Sequence, residues 1–179
     1  EGSPATSLEV DGAGVRVRTT SGAIAARRVV VGTNAYPGVL KRLRAFILPV
    51  YDHVLMTEPL TAAQLDAIGW QGREGLTDAG NQFHYYRRTL DDRILFGGFD
   101  ANYHFGGRID PTLEQSASHD LLATHFFAIF PQLAGLRFTH RWAGVIDTTS
   151  RFTPFFGRAL GGRVAYAVGY TGLGVGSSR

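Results

Sequence analysis

Val164-Ala165-Tyr166-Ala167-Val168-Gly169-Tyr170-Thr171-Gly172-Leu173-Gly174-Val175-Gly176-Ser177-Ser178 is the stretch that decides how the rest of the chain is read. A strand of mostly apolar residues runs into glycines and then into residues able to open a helix. Backbone N–H groups and the positive end of a helix would then converge on one point, which suits an anion or an electron-rich ring edge. A strand followed by glycines also describes an ordinary tight turn, and both readings stand at this level.

Upstream, apolar alternation over residues 8–17, broken by Asp11-Gly12-Ala13-Gly14, predicts a hairpin. A third strand over residues 23–27 leads into Val29-Val30-Val31, then Gly32-Thr33-Asn34. A continuous β-branched run of this kind predicts a strand buried on both faces. Residues 48–57 form the next strand, with Tyr51, His53, Leu55 and Thr57 on one face and Asp52, Val54 and Met56 on the other. Thr61 is placed to cap a short helix closed by Gly69. Residues 83–88 and 93–99 flank Thr89-Leu90-Asp91-Asp92 as a second hairpin. Asp110 and Pro111 predict the start of the one long helix, which should stop before Pro131. Two more strands are expected near residues 138–147 and 163–169, giving a strand-rich α+β pattern.

The composition narrows the function classes. The 179 residues are 44% hydrophobic and 18% charged, enough for a sizeable core. The formal net charge is +3, Lys41 is the only lysine, and the arginines are scattered, so nucleic-acid binding is not expected. With no cysteine, disulfides, thiol catalysis and thiolate metal sites are excluded. His53, His84, His104, His119, His125 and His140 lack metal-ligand spacing, and no G-x-S-x-G elbow is present, so neither a metal site nor a serine hydrolase is expected. No apolar run approaches the roughly 20 residues of a membrane helix. Glu1-Gly2-Ser3-Pro4 lacks the features of a secretory signal, which makes a cytoplasmic location the default expectation. The chain begins without methionine and its last residues read as the start of a helix, so both ends are expected to be cut.

The glycine-rich end resembles the flavin-contacting segment of the D-amino-acid oxidase-like family, which includes glycine oxidase, sarcosine oxidase and the γ-glutamylputrescine oxidoreductases. Three further segments match in the family's order. Ala26-Arg27-Arg28-Val29-Val30-Val31-Gly32-Thr33-Asn34-Ala35-Tyr36 is similar to its A-x-x-V-V-x-A-T-G-A-W strand. Leu48-Pro49-Val50 through Thr57-Glu58-Pro59-Leu60 is similar to its first substrate-domain strand. Arg141-Trp142-Ala143-Gly144 through Asp147, Pro154 and Gly157-Arg158 is similar to its W-x-G…D…P-x-x-G block. The collinear order carries more weight than any single motif. The G-x-G-x-x-G turn that holds the FAD pyrophosphate in this family does not open the chain, so the resemblance implies a fragment, inactive and without FAD when isolated.

The resemblance implies an antiparallel substrate-domain sheet with a long helix, flanked by strands of a partial α/β FAD-binding domain. The expected division is residues 1–47 and 159–179 for the cofactor side and residues 48–158 for the substrate-binding domain. The implied reaction is FAD-dependent oxidation of a C–N bond in a small amine or amino acid, by hydride transfer to the flavin. Thr33, Asn34, Gly172, Leu173, Gly174, Val175 and Gly176 are the implied cofactor contacts. The resemblance sets the substrate over the flavin ring against one face of the antiparallel sheet. His53, Tyr85 and Phe99 are the candidates there, though strand aromatics are more often core packing and a lone histidine more often a surface or satisfied residue than a catalyst. The amino-acid oxidases of the family carry a carboxylate-clamping arginine shortly after W-x-G, where this chain has Val145-Ile146-Asp147. An amine is therefore favoured over an α-amino acid, with Asp147 either attracting its cation or capping a turn, and Arg151 or Arg158 as alternative clamps. The competing reading is a sheet-based ligand- or partner-binding module without redox chemistry.

Overall fold

The computed structural model describes residues 2–36 and 38–177. Ser178 and Arg179, read above with the last helix, lie outside the described residues. In chain order the first strands are β1 (Ala5–Asp11), β2 (Gly14–Thr19), β3 (Gly22–Ala26), β4 (Val29–Val31) and β5 (Leu48–Thr57), followed by helix α1 (Ala62–Ile68). Next come β6 (Gly75–Thr77), β7 (His84–Arg88), β8 (Ile94–Gly98), β9 (Asn102–Tyr103) and the long helix α2 (Ser116–Ile129). The chain closes with β10 (Phe138–Thr148), β11 (Phe155–Ala159), β12 (Val164–Val168) and the short α3 (Gly174–Ser177).

These elements form two compact units. One comprises Glu1–Val50, Phe105–Ile109 and Ile146–Arg179, the other Tyr51–His104 and Asp110–Val145. Residues 146–158, expected with the substrate-binding domain, thus belong to the unit that holds both chain ends.

In the first unit, β1, β2 and β3 form an antiparallel meander, and a second sheet has the order β11-β12-β4. β4 runs parallel to β12, with Val29 opposite Val164 and Val31 opposite Tyr166. Val15, Val31 and Val164 form a buried core. The expectation of a strand buried on both faces fails at Val30, which is 77% exposed. The period of two sends Val29 and Val31 into the core and Val30 the other way, and among the described residues no element covers that face.

In the second unit the sheet order is β10-β5-β8-β7-β6, with β9 also on β5. Leu55 pairs with Phe96, and Phe96 with Tyr86, so these three line one face. Leu122 and Phe126 of α2 pack there with Leu55, Ile94, Phe96 and Trp70 as the main core. The other face carries Val54, Gly97 and Tyr85 abreast. α1 opens on a capping box between Thr61 and Gln64 and ends at Gly69 in the left-handed region, as its sequence dictates. α2 starts five residues later than expected from Pro111, at Ser116. Asp110 does cap Pro111, but only for a 3-10 turn (Pro111–Leu113) that ends on extended Glu114. Gln115 is also extended, and its N–H donates to His53 Nε2 at 3.3 Å, out of the helical ladder.

Candidate active site

The glycine turn of the first unit is held by one buried carboxylate. Asp147, 2% exposed, accepts from the Gly169 N–H at 2.6 Å and from the Tyr170 N–H at 3.1 Å. Its own N–H donates to Asn34 Oδ1 at 3.2 Å, and its carbonyl accepts from the Thr171 N–H at 3.2 Å. Asp147 therefore ties Asn34 to residues 169–171, which lead directly into the implied cofactor contacts Gly172, Leu173, Gly174, Val175 and Gly176. The turn needs glycine at position 169, where φ is +79° and a Cβ would collide with the Thr149 methyl. Beyond it, a Cβ on Gly172 would meet only Ile146 Cδ1 at 3.8 Å, and one on Gly176 nothing within 4 Å. Val175 is 94% exposed. The turn thus presents bare backbone to its surroundings, while the carboxylate behind it is occupied by the turn's own N–H groups. Of the two roles weighed for Asp147, attracting an amine and capping a turn, the geometry supplies the second.

The three sheet candidates of the second unit do not share a face. His53 is fully buried on the helix-covered side, its ring 5.1 Å from that of His119, with Nε2 accepting from Gln115. Its Nδ1 is buried without a hydrogen-bond partner. Phe99 stacks on His84 at 5.0 Å and meets His125 edge-on at 4.5 Å, also on the helix side. The Asp78 carboxylate and the His125 ring hold the two nitrogens of His84, at 2.5 and 2.9 Å. Only Tyr85 faces the side of the sheet away from α2. The expectation that His53, Tyr85 and Phe99 line one substrate face is corrected by strand alternation and by the position of α2.

Tyr85 has a partner that the sequence reading missed. Its hydroxyl donates to Asp52 Oδ2 at 2.6 Å. One strand, β8, separates the residues in the order β5-β8-β7, and Gly97 on β8 has no side chain to keep the Tyr85 ring from reaching across. A Cβ at Gly97 would lie 2.7 Å from the Tyr85 Oη and 2.8 Å from Cζ. Burial raises the Asp52 carboxyl above its usual range, against the hydrogen bonds it accepts. Burial first, and Asp52 second, push the Tyr85 phenol up as well. Paired glycines inside a strand mark a close approach, and Gly97-Gly98 was the available signal.

The buried His53 makes acid stability testable. Burial first and then His119 lower its pKa, with His104 acting the same way and Asp100 and Glu114 opposing. The unfolded chain protonates this histidine near 6.5 and the folded chain only below that. Between the two values the unfolded state binds more protons, so the contribution is fully present above pH 6.5 and is lost as pH falls through the interval. Urea unfolding at about pH 5 and about pH 7.5 should show a larger acid loss for the native chain than for His53→Phe. Equal losses would remove His53 as the source.

Among the described residues, no group of three or more His, Asp or Glu is arranged to hold a metal ion. No helix among them is long and apolar enough to cross a membrane.

The chain belongs to the FAD dependent oxidoreductase (DAO) family, whose model matches residues 1–179. It is 32% identical over 183 residues to a probable oxidoreductase OrdL of Haemophilus influenzae, covering 98% of this chain and 38% of that protein. It is 34% identical over 161 residues to the γ-glutamylputrescine oxidoreductase of Escherichia coli, covering 89% and 35%. Glycine oxidase from Geobacillus kaustophilus superposes with a TM-score of 0.74 at 20% identity, over 97% of this chain and 44% of that one. The chain therefore spans less than half the length of these relatives.

Proposed function

We propose that the protein oxidises the C–N bond of a small amine in preference to that of an α-amino acid. The observation that carries this reading is Val145-Ile146 after Trp142-Ala143-Gly144, where the resemblance to the amino-acid oxidases calls for a carboxylate-clamping arginine. Aliphatic side chains offer no hydrogen bond to a carboxylate, and a buried clamp lacking its charged partner loses about 2–5 kcal/mol. The similarity to a γ-glutamylputrescine oxidoreductase supports the same class.

FAD, when bound, supplies the two-electron acceptor for the hydrogen leaving the carbon next to nitrogen. The glycine turn fits such a group, because a Cβ at Gly176 would fill space that is now open. Thr33, Asn34, Gly172, Leu173, Gly174, Val175 and Gly176 are the residues that would hold it. Asp147 keeps both segments in register through Asn34, Gly169 and Tyr170. Tyr85, half-buried on the face away from α2, is the sheet candidate nearest a substrate, while His53 and Phe99 shape the layer behind it.

The test is kcat/KM of the full-length, FAD-loaded protein for monosubstituted diamines and simple alkylamines against glycine, sarcosine and D-alanine. The amines should be favoured by at least about tenfold, which corresponds to about 1.4 kcal/mol in the transition state. A preference for any of the three amino acids overturns the reading and redirects attention to Arg151 and Arg158.

A further inference from the structure

Asp52 is a half-buried carboxylate, and among the described residues no cation pairs with it. It accepts from the Tyr85 hydroxyl at 2.6 Å, and the backbone N–H groups of His53 and Gly98 also favour its charge without supplying a cation. Taking a carboxylate from water is costly unless an opposite charge joins it. The neighbours on the same face are apolar: Val54 and Met56 follow on β5, and Leu95 lies opposite Met56 on β8. Gly97 has no side chain, and the Tyr85 ring lies across it in the space a Cβ would fill. An anion at the end of an apolar lane, with an aromatic ring along its side, matches an alkylammonium ion. The methylenes would cover the half-buried Met56 and Leu95, and the ammonium would meet the carboxylate and the ring.

We infer that Asp52 is the anionic anchor for the ammonium group of an alkylamine substrate, and that Tyr85, laid across Gly97, is the positioning residue that aims the carboxylate. The inference rests on the amine reading above and assigns a specific group to it. The proposed role is binding, with no proton or electron transferred at Asp52.

The experiment uses the full-length, FAD-loaded protein and follows the perturbation of the flavin absorbance on anaerobic titration with two inhibitors, a tertiary alkylamine lacking an α-hydrogen and the alcohol of the same shape. Asp52→Asn should weaken the ammonium ligand by about 30-fold or more and the alcohol by less than about threefold, because only the cation loses its counter-charge. Tyr85→Phe should give a smaller loss in the same direction. Equal weakening of both ligands by Asp52→Asn would mean that the pair only shapes the sheet, and unchanged binding of the ammonium ligand would remove Asp52 from the site. Both outcomes overturn the anchor. They are separable from failure of the amine reading, which shows as a native flavin that no amine reduces. Should Asp52→Asn fold poorly, Gly97→Ala reaches the same geometry by displacing the Tyr85 ring, and it too must discriminate between the two ligands.

Discussion

Asp147→Ala is expected to destabilise the first unit by about 3–5 kcal/mol, because it leaves two backbone donors without their acceptor. Each buried N–H that loses a charged partner costs about 1–3 kcal/mol, and both the Gly169 and Tyr170 N–H groups point at this carboxylate. Asp147→Asn keeps one acceptor oxygen but turns an NH₂ toward the second donor, so roughly half the loss should remain. Two units need not unfold together, and the direct measurement is hydrogen exchange at the Gly169 and Tyr170 amides. Protection should drop by about two to three orders of magnitude in Asp147→Ala. Protection equal to that of the native chain would show that the turn stands without its latch. The proposed cofactor segments meet through Asp147, so the full-length variant should also bind FAD more weakly. A loss of amine turnover in Asp147→Ala therefore says nothing about direct contact with substrate.

Phe126→Ala should have a loss of similar size in the second unit, about 3–5 kcal/mol, the usual cost of emptying a phenylalanine site in a closed core. Phe126 is fully buried, and its ring lies 5.5 Å from Phe96, 5.3 Å from Phe127 and 5.2 Å from both Phe130 and Phe138. It joins α2 to β8 and β10 at once, so no single neighbour can move in to fill the space. Phe105, 90% exposed, is the control, and Phe105→Ala should change stability by less than about 0.5 kcal/mol. Urea midpoints of the two variants decide the matter, and a shift for Phe126→Ala no larger than that for Phe105→Ala would contradict the packing described here.

The outcome for the candidate residues follows which kind of interaction fixes them. α1 could be placed to the residue because Thr61, Gln64 and Gly69 act within a single turn of chain. β5 was legible for the same reason, its alternation separating Tyr51, His53, Leu55 and Thr57 from Asp52, Val54 and Met56. The start of α2 was misplaced because Pro111 and Asp110 satisfy a cap for one turn, while the bond from Gln115 to His53 comes from a strand far away in sequence. Asp52 escaped notice because its significance depends on Tyr85, two strands away, and on the missing side chain of Gly97.

The sequence by itself determined the two hairpins, helix α1, the faces of β5 and the flavoprotein family, since these depend on local periodicity, turn chemistry and collinear motifs. Only the tertiary structure decided which strand face α2 covers, that His53 and Phe99 sit behind the sheet while Tyr85 stands in front, and that Asp147 spends its carboxylate on the glycine turn. Those outcomes are set by hydrogen bonds and ring contacts between residues 22 to 113 positions apart. The pairing of such distant groups is fixed by sheet register and helix packing, which no local pattern in the chain encodes.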